Sequence, residues 1–87
     1  MKVKNVIGFD VSKETLDVAI CKGEQIVKQL KINNKTSEIK KAMKHLEREG
    51  YLAKESLCCM ENTGIYNNLL LKHLQCSGYK IWVENAV

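Results

Sequence analysis

The chain has 87 residues, 45% of them hydrophobic, and a formal net charge of +4. This length allows one small domain, and the hydrophobic content excludes a disordered chain. No apolar run is long enough to span a bilayer, and residues 1–4 lack the apolar segment of a signal peptide. A cytoplasmic protein is therefore expected. The mild positive charge permits an anionic partner without requiring one.

The first strand is predicted over residues 6–9, a short run of strand-forming apolar residues. Such a run between polar residues is typical of a strand buried on both faces. Gly8 inside it suggests close approach of a ligand or another backbone. Asp10 ends the run, either as a turn residue with Ser12 or as a ligand at the rim where open α/β sheets bind their ligands.

Two further strands are predicted next. Residues 16–21 alternate in polarity, Gly23 marks a turn, and residues 25–32 alternate again through Ile26, Leu30 and Ile32 on one face. The first third therefore predicts an antiparallel β-meander. Asp17, inside the second strand, is a third candidate carboxylate, for which a surface or hydrogen-bonding role is favoured.

A helix is predicted to follow, with Thr36 as its N-cap, Glu38 in its first turn and Gly50 just after its end. Its apolar residues recur at helical spacing: Ile39, Ala42, Met43 and Leu46. The residues that fall largely on the opposite side are mostly basic: Lys40, Lys41, Lys44, Glu47 and Arg48. Lys35, just before the helix, adds to them. This basic side either contacts phosphates or is simply a solvated face.

The second half predicts a strand over residues 57–60 ending at Glu61, a helix with Leu69, Leu70 and Leu74 facing inward, and a strand over residues 79–83. The order β-β-β-α-β-α-β predicts an α/β fold with a mixed five-stranded sheet. We expect the strand order 3-2-1-4-5, with both helices on one face because the parallel crossovers are right-handed.

Two short strands of this pattern each end in an acid, Asp10 and Glu61. If the strands are parallel neighbours, the two carboxylates emerge at one edge, on strands about 4.8 Å apart. Two carboxylates that close repel unless a proton or a cation lies between them. Mg²⁺ is bound through one or two carboxylates. Acids at strand ends are also common without any ligand, so this pattern alone leaves a structural role open.

The four cysteines do not have the spacing of a zinc site. They are Cys21, Cys58, Cys59 and Cys76. Without an export signal, they are predicted to be buried, reduced thiols.

Residues 8–19, GFDVSKETLDVA, resemble the opening of the DEDD-class insertion-sequence transposases. Residues 60–66, MENTGIY, resemble the second block of that family: an acid, a small residue, Thr, Gly and an aromatic. Asn62 is a mild departure, since many members have a small apolar residue there. The resemblance covers nearly the whole chain. It implies a RuvC-like nuclease domain with the RNase H-like fold.

The resemblance further implies that Asp10 and Glu61 are the first two acids of a DEDD tetrad that binds Mg²⁺ or Mn²⁺. The remaining two aspartates, and a C-terminal domain with a nucleophilic serine, lie beyond the region matched here. Residues 1–87 are therefore expected to be the N-terminal portion of such a domain and inactive alone. DNA and a structured guide RNA are the implied partners, and we expect homo-oligomers through the uncovered sheet face.

Two other interpretations remain open. Actin-like and sugar-kinase-like ATPases also begin with a Gly-x-Asp strand and a phosphate-binding hairpin, but they usually carry a glycine just after the Asp, where this chain has Val11-Ser12-Lys13. The third possibility is a non-catalytic interaction module in which both acids are structural.

Overall fold

A computed structural model describes residues 2–85. Within them the chain forms five strands and two α-helices in the predicted order: β1 (Asn5–Val11), β2 (Thr15–Lys22), β3 (Gln25–Asn33), α1 (Thr36–Arg48), β4 (Ser56–Glu61), α2 (Asn68–Cys76) and β5 (Lys80–Glu84). Short 3₁₀ turns over Ala53–Glu55 and Gly64–Asn67 lead into β4 and α2.

The sheet has the order β3-β2-β1-β4-β5, which confirms the predicted RNase H-like arrangement with β1 at the centre. Strands β1, β2 and β3 pair antiparallel, whereas β4 lies parallel to both β1 and β5. A bulge interrupts the pairing of β2 with β3: Ile20 faces Lys28, but Cys21 faces Ile26. The extra residue turns Ile26 away from the apolar face on which it was predicted, and its side chain is 57% exposed.

One core lies between the sheet and the two helices. From β1 it takes the alternate residues Ile7, Phe9 and Val11, and from α1 all four residues that the helical spacing predicted. The prediction that β1 is buried on both faces is wrong, because no element within residues 2–85 covers the second face. There Gly8 is only half-buried and Asp10 is exposed.

The helix ends differ in part from the sequence prediction. Lys35, not Thr36, is the N-cap of α1, and its side chain makes no cap bond. Glu38 instead accepts hydrogen bonds from the backbone and side-chain amides of Asn33, both at 2.9 Å, which lower the pKa of Glu38. Gly50 has a φ of +99° after the C-cap, as its predicted C′ role requires. Leu69 is 42% exposed, so its inward assignment is wrong.

The cysteines do not share one environment. All four are free, but only Cys58 is buried; Cys21 and Cys59 are half-buried and Cys76 is exposed. The prediction of four buried thiols is therefore wrong for three of them. Among residues 2–85, no helix has the length and apolar character needed to cross a membrane.

Candidate functional site

Asp10 and Glu61 lie side by side where two parallel strands end. The last paired residues of β1 and β4 are Phe9 and Met60, and the two acids follow them directly. Both side chains are exposed on the uncovered sheet face. Neighbouring strands lie about 4.8 Å apart, so the carboxylates can approach one ligand from adjacent strands.

Two more acids extend this pair into a row across the sheet. Asp17 on β2 faces Asp10 directly, and Glu84 on β5 faces Glu61. Lys31 stands at the β3 end of the row, with its Nζ 4.0 Å from Asp17 Oδ1. We call this set of four acids, one on each of four neighbouring strands, the carboxylate row. The sequence prediction missed Glu84 because it ended the last strand at residue 83. The alternation of side chains along that strand could have placed Glu84 on the same face as Trp82.

The carboxylate row lies at one side of an open cavity of about 830 Å³ on the uncovered sheet face. Gly8, Ala19, Cys59 and Trp82 contribute apolar surface to its walls. In the described part of the chain, no other backbone approaches Gly8 closely: an added Cβ would have as its nearest neighbour the Ala19 carbonyl oxygen at 3.8 Å, an ordinary contact. A glycine here leaves the middle of the cavity without a side chain.

The loop after β4 is shaped by Asn62, the residue that departs from the family pattern. Its backbone N–H donates to the Glu84 carbonyl at 2.8 Å, which extends the pairing with β5. Its side chain accepts from the Gly64 N–H at 2.9 Å and donates to Asn85 Oδ1 at 3.2 Å. Gly64 has a φ of +70°, which favours glycine. Asn62 therefore closes the turn that carries the chain away from Glu61.

The turn between β1 and β2 is closed by hydrogen bonds between Ser12 and Thr15. The Ser12 N–H donates to the Thr15 carbonyl at 2.9 Å, and the Thr15 N–H donates to Ser12 Oγ at 3.2 Å. Ser12 thus bonds to Thr15 and makes no turn with the Asp10 side chain. These two amides are already used, which leaves them unavailable to a phosphate.

The donors of the site suit a hard divalent cation. Asp10 and Glu61 offer carboxylate oxygens at an exposed rim, and Mg²⁺ and Mn²⁺ prefer such ligands. Within residues 2–85, no three His, Cys, Asp or Glu side chains lie close enough together to hold a metal ion. The adjacent pair could supply at most part of a ligand set for such an ion, and the rest would have to come from water, substrate or further protein groups.

Comparison with solved structures identifies similar folds. A Bacteroides thetaiotaomicron protein of unknown function with an actin-like ATPase fold superposes with a TM-score of 0.75 at 10% identity, over 95% of this chain and 33% of that one. An Aquifex aeolicus member of the Ppx/GppA family gives a TM-score of 0.44 at 12% identity, over 93% of this chain and 35% of its own. The chain thus spans about a third of the length of these proteins. At such low identity, the first likeness shows the fold alone.

Comparison by sequence is more specific. No curated protein matches the chain. A model of transposases, the IS110-type DEDD family, matches residues 7–87. That range includes both sequence blocks and both acids of the central pair, and it covers nearly all of the chain. The chain therefore belongs to the IS110-type DEDD transposase family.

Proposed function

We propose that residues 1–87 are the N-terminal portion of a RuvC-like nuclease domain that cleaves and rejoins DNA strands with the help of divalent metal. One observation carries this proposal: Asp10 and Glu61 are exposed neighbours at the ends of two parallel strands. The family supplies the kind of reaction. The rest of the ligand set, including two further aspartates, is proposed to lie outside this segment.

Asp10 and Glu61 would hold Mg²⁺ or Mn²⁺. Such an ion can lower the pKa of a bound water and stabilise the leaving oxygen of a phosphodiester. The protein's own part is to fix two carboxylates on adjacent strands and to leave them open to solvent, so that a DNA backbone can reach them. Asp17 and Glu84 add negative charge on either side, which favours a cation between the central pair.

The adjoining surfaces suit the proposed partners. Five basic residues of the α1 region are exposed, which supports contact with DNA or with a structured guide RNA through phosphates: Lys35, Lys40, Lys41, Lys44 and Arg48. The uncovered sheet face supports association with a second copy. The ATPase alternative is disfavoured, because its hairpin would offer free N–H groups to a phosphate, whereas here the Ser12 N–H donates to the Thr15 carbonyl and the Thr15 N–H donates to Ser12 Oγ.

Two substitutions in the full natural chain test the proposal. Asp10→Ala and Glu61→Ala should each abolish DNA strand transfer while leaving the thermal midpoint close to that of the wild type, since each removes a ligand at an exposed rim. Glu24→Ala is the matched control, because Glu24 is an exposed acid in the distant β2–β3 turn. A folded Asp10→Ala protein that recombines DNA at the wild-type rate would show that the assignment is wrong.

A further inference from the structure

The separation of Asp10 and Glu61 depends on the backbone that follows each of them. Within residues 2–85, neither carboxylate is held by a side-chain hydrogen bond to another group, so the strand ends decide where the oxygens lie. Residues 12–14 follow β1 and residues 62–67 follow β4. Bonds that fix these two segments therefore act on the geometry of the pair.

On the β4 side, a buried amide holds the end of the strand. Asn67 is 1% exposed, and its Nδ2 donates to the carbonyl oxygen of Glu61 at 3.0 Å. Its Oδ1 accepts a hydrogen bond from Thr63 Oγ1. The amide orientation follows from these partners, because the reverse would set two acceptor oxygens against each other. Thr63 thus orients Asn67, and Asn67 holds the peptide that leaves Glu61.

A second amide joins this segment to the turn after β1. Asn34, between β3 and α1, donates from Nδ2 to the Ser12 carbonyl at 2.9 Å and to the Tyr66 carbonyl at 3.0 Å. Ser12 comes two residues after Asp10, and Tyr66 lies in the 3₁₀ turn that also contains Asn67. Both donors of one side chain therefore connect the two loops beyond the strand ends.

We propose that Asn67, Thr63 and Asn34 are positioning residues that set the spacing of Asp10 and Glu61 for a divalent cation. We call these three side chains the amide brace. This inference rests on the proposed function, because it assumes that the two acids bind metal. Groups that orient metal ligands from behind commonly change affinity about ten- to a hundredfold when they are removed. Asn67 holds the backbone of Glu61 itself, whereas Asn34 holds the two loops that follow Asp10 and Glu61.

A merely structural role predicts a different result. If the brace only joins loops, its loss lowers the stability of the fold and leaves the metal affinity of the folded protein unchanged. If it positions the pair, affinity falls in protein that is still folded. Metal affinity and thermal midpoint, measured on the same samples, separate the two roles.

The test uses Mn²⁺ binding to the full natural chain, followed by electron paramagnetic resonance of the free ion. Thr63→Val keeps the shape of the side chain but removes the hydroxyl that orients Asn67, whereas Thr63→Ser keeps the hydroxyl. We expect Thr63→Val to raise the Kd for Mn²⁺ about tenfold and Thr63→Ser to restore affinity close to the wild-type value. Asn34→Ala should weaken binding similarly. Asn68→Ala, at an exposed neighbouring asparagine, is the control and should bind normally.

The possible failures are distinguishable. If Asp10→Ala binds Mn²⁺ as well as the wild-type protein does, or if neither binds it, the metal site is wrong and the brace has no role in it. If that binding is present and the folded Thr63→Val and Asn34→Ala proteins retain wild-type affinity, the brace is wrong while the metal site stands. Should Thr63→Val fail to fold, Asn34→Ala decides between the outcomes, because it removes the bonds to Ser12 and Tyr66 and leaves the Thr63–Asn67 bond in place.

Discussion

The cysteine thiols differ in reactivity according to their burial. Burial, together with the neighbouring Cys59, raises the pKa of Cys58 to about 12, whereas Cys76 is exposed on α2. The thiolate is the reactive form, so Cys76 should react first with a disulfide reagent and Cys58 last, only as the protein opens. Site-resolved mass spectrometry over a time course measures this order. Cys76→Ser should remove the fastest phase, and equally fast labelling of Cys58 in native protein would contradict the prediction.

Tyr79 makes stability depend on alkaline pH. Burial, then the nearby Cys58 and Glu47, raises its pKa to about 12 from the ordinary 10.0. Its hydroxyl donates to the Tyr51 carbonyl at 3.4 Å. Above pH 10 the unfolded tyrosine ionises while the native one stays neutral, so its contribution is present below about pH 10 and is lost as the pH rises to about 12.

The expected loss from Tyr79 is on the order of 2 kcal/mol of unfolding free energy over that interval, from about 1.4 kcal/mol per pKa unit. Urea unfolding at a series of pH values measures it. In a plot of unfolding free energy against pH, Tyr79→Phe should make the decline above pH 10 less steep. The part that remains comes from Cys58, whose contribution begins to fall near pH 9 and has the same sign. An unchanged slope in Tyr79→Phe would contradict the assignment.

The exposed basic residues of α1 predict nucleic-acid binding that depends on salt. Lys40 and Lys44 are one turn apart and both exposed, and each phosphate contact releases counterions. The double variant Lys40→Glu/Lys44→Glu should weaken DNA binding and reduce the slope of log affinity against log salt by about two. Fluorescence anisotropy at several salt concentrations checks this. Lys54→Glu/Lys80→Glu, at two exposed lysines outside α1, is the control with the same change of charge; equal weakening by both double variants would point to net charge alone.

The sequence predicted the sheet order correctly but missed features that depend on loops and on long-range contacts. The spacing of α1 and the strand pattern predicted the sheet order and the meeting of Asp10 with Glu61. Leu69 was misplaced because the Gly64–Asn67 turn, invisible to periodicity, delays the start of α2 and leaves Leu70 and Leu74 facing inward. The bonds of Asn34 in the amide brace were missed because they join residues far apart in the chain, from Asn34 to Ser12 and to Tyr66. No local pattern records such a contact.

The uncovered sheet face predicts self-association of the 87-residue chain. Trp82 on edge strand β5 is 59% exposed beside the cavity, and exposed apolar surface and unpaired strand edges both promote association. Trp82→Glu should shift the chain toward monomer. Light scattering over a concentration series measures the mass, with Ile65→Glu, on the 3₁₀ turn before α2, as a control of similar chemistry. A clean monomer at high concentration of the unsubstituted chain would contradict the prediction.

The parallel pairing of β1 with β4 has a consequence for the order of folding. Asp10 and Asp17 belong to one hairpin with a short turn, which closes quickly, whereas β1 meets β4 through residues 51 positions apart, such as Asn5 and Ser56. Pairings of such high contact order form slowly, because a long loop must close first. The acids of the central pair should therefore come together late, after the meander has formed. In a refolding experiment, the capacity to bind Mn²⁺ should rise with the slow phase, behind the first gain of β-structure.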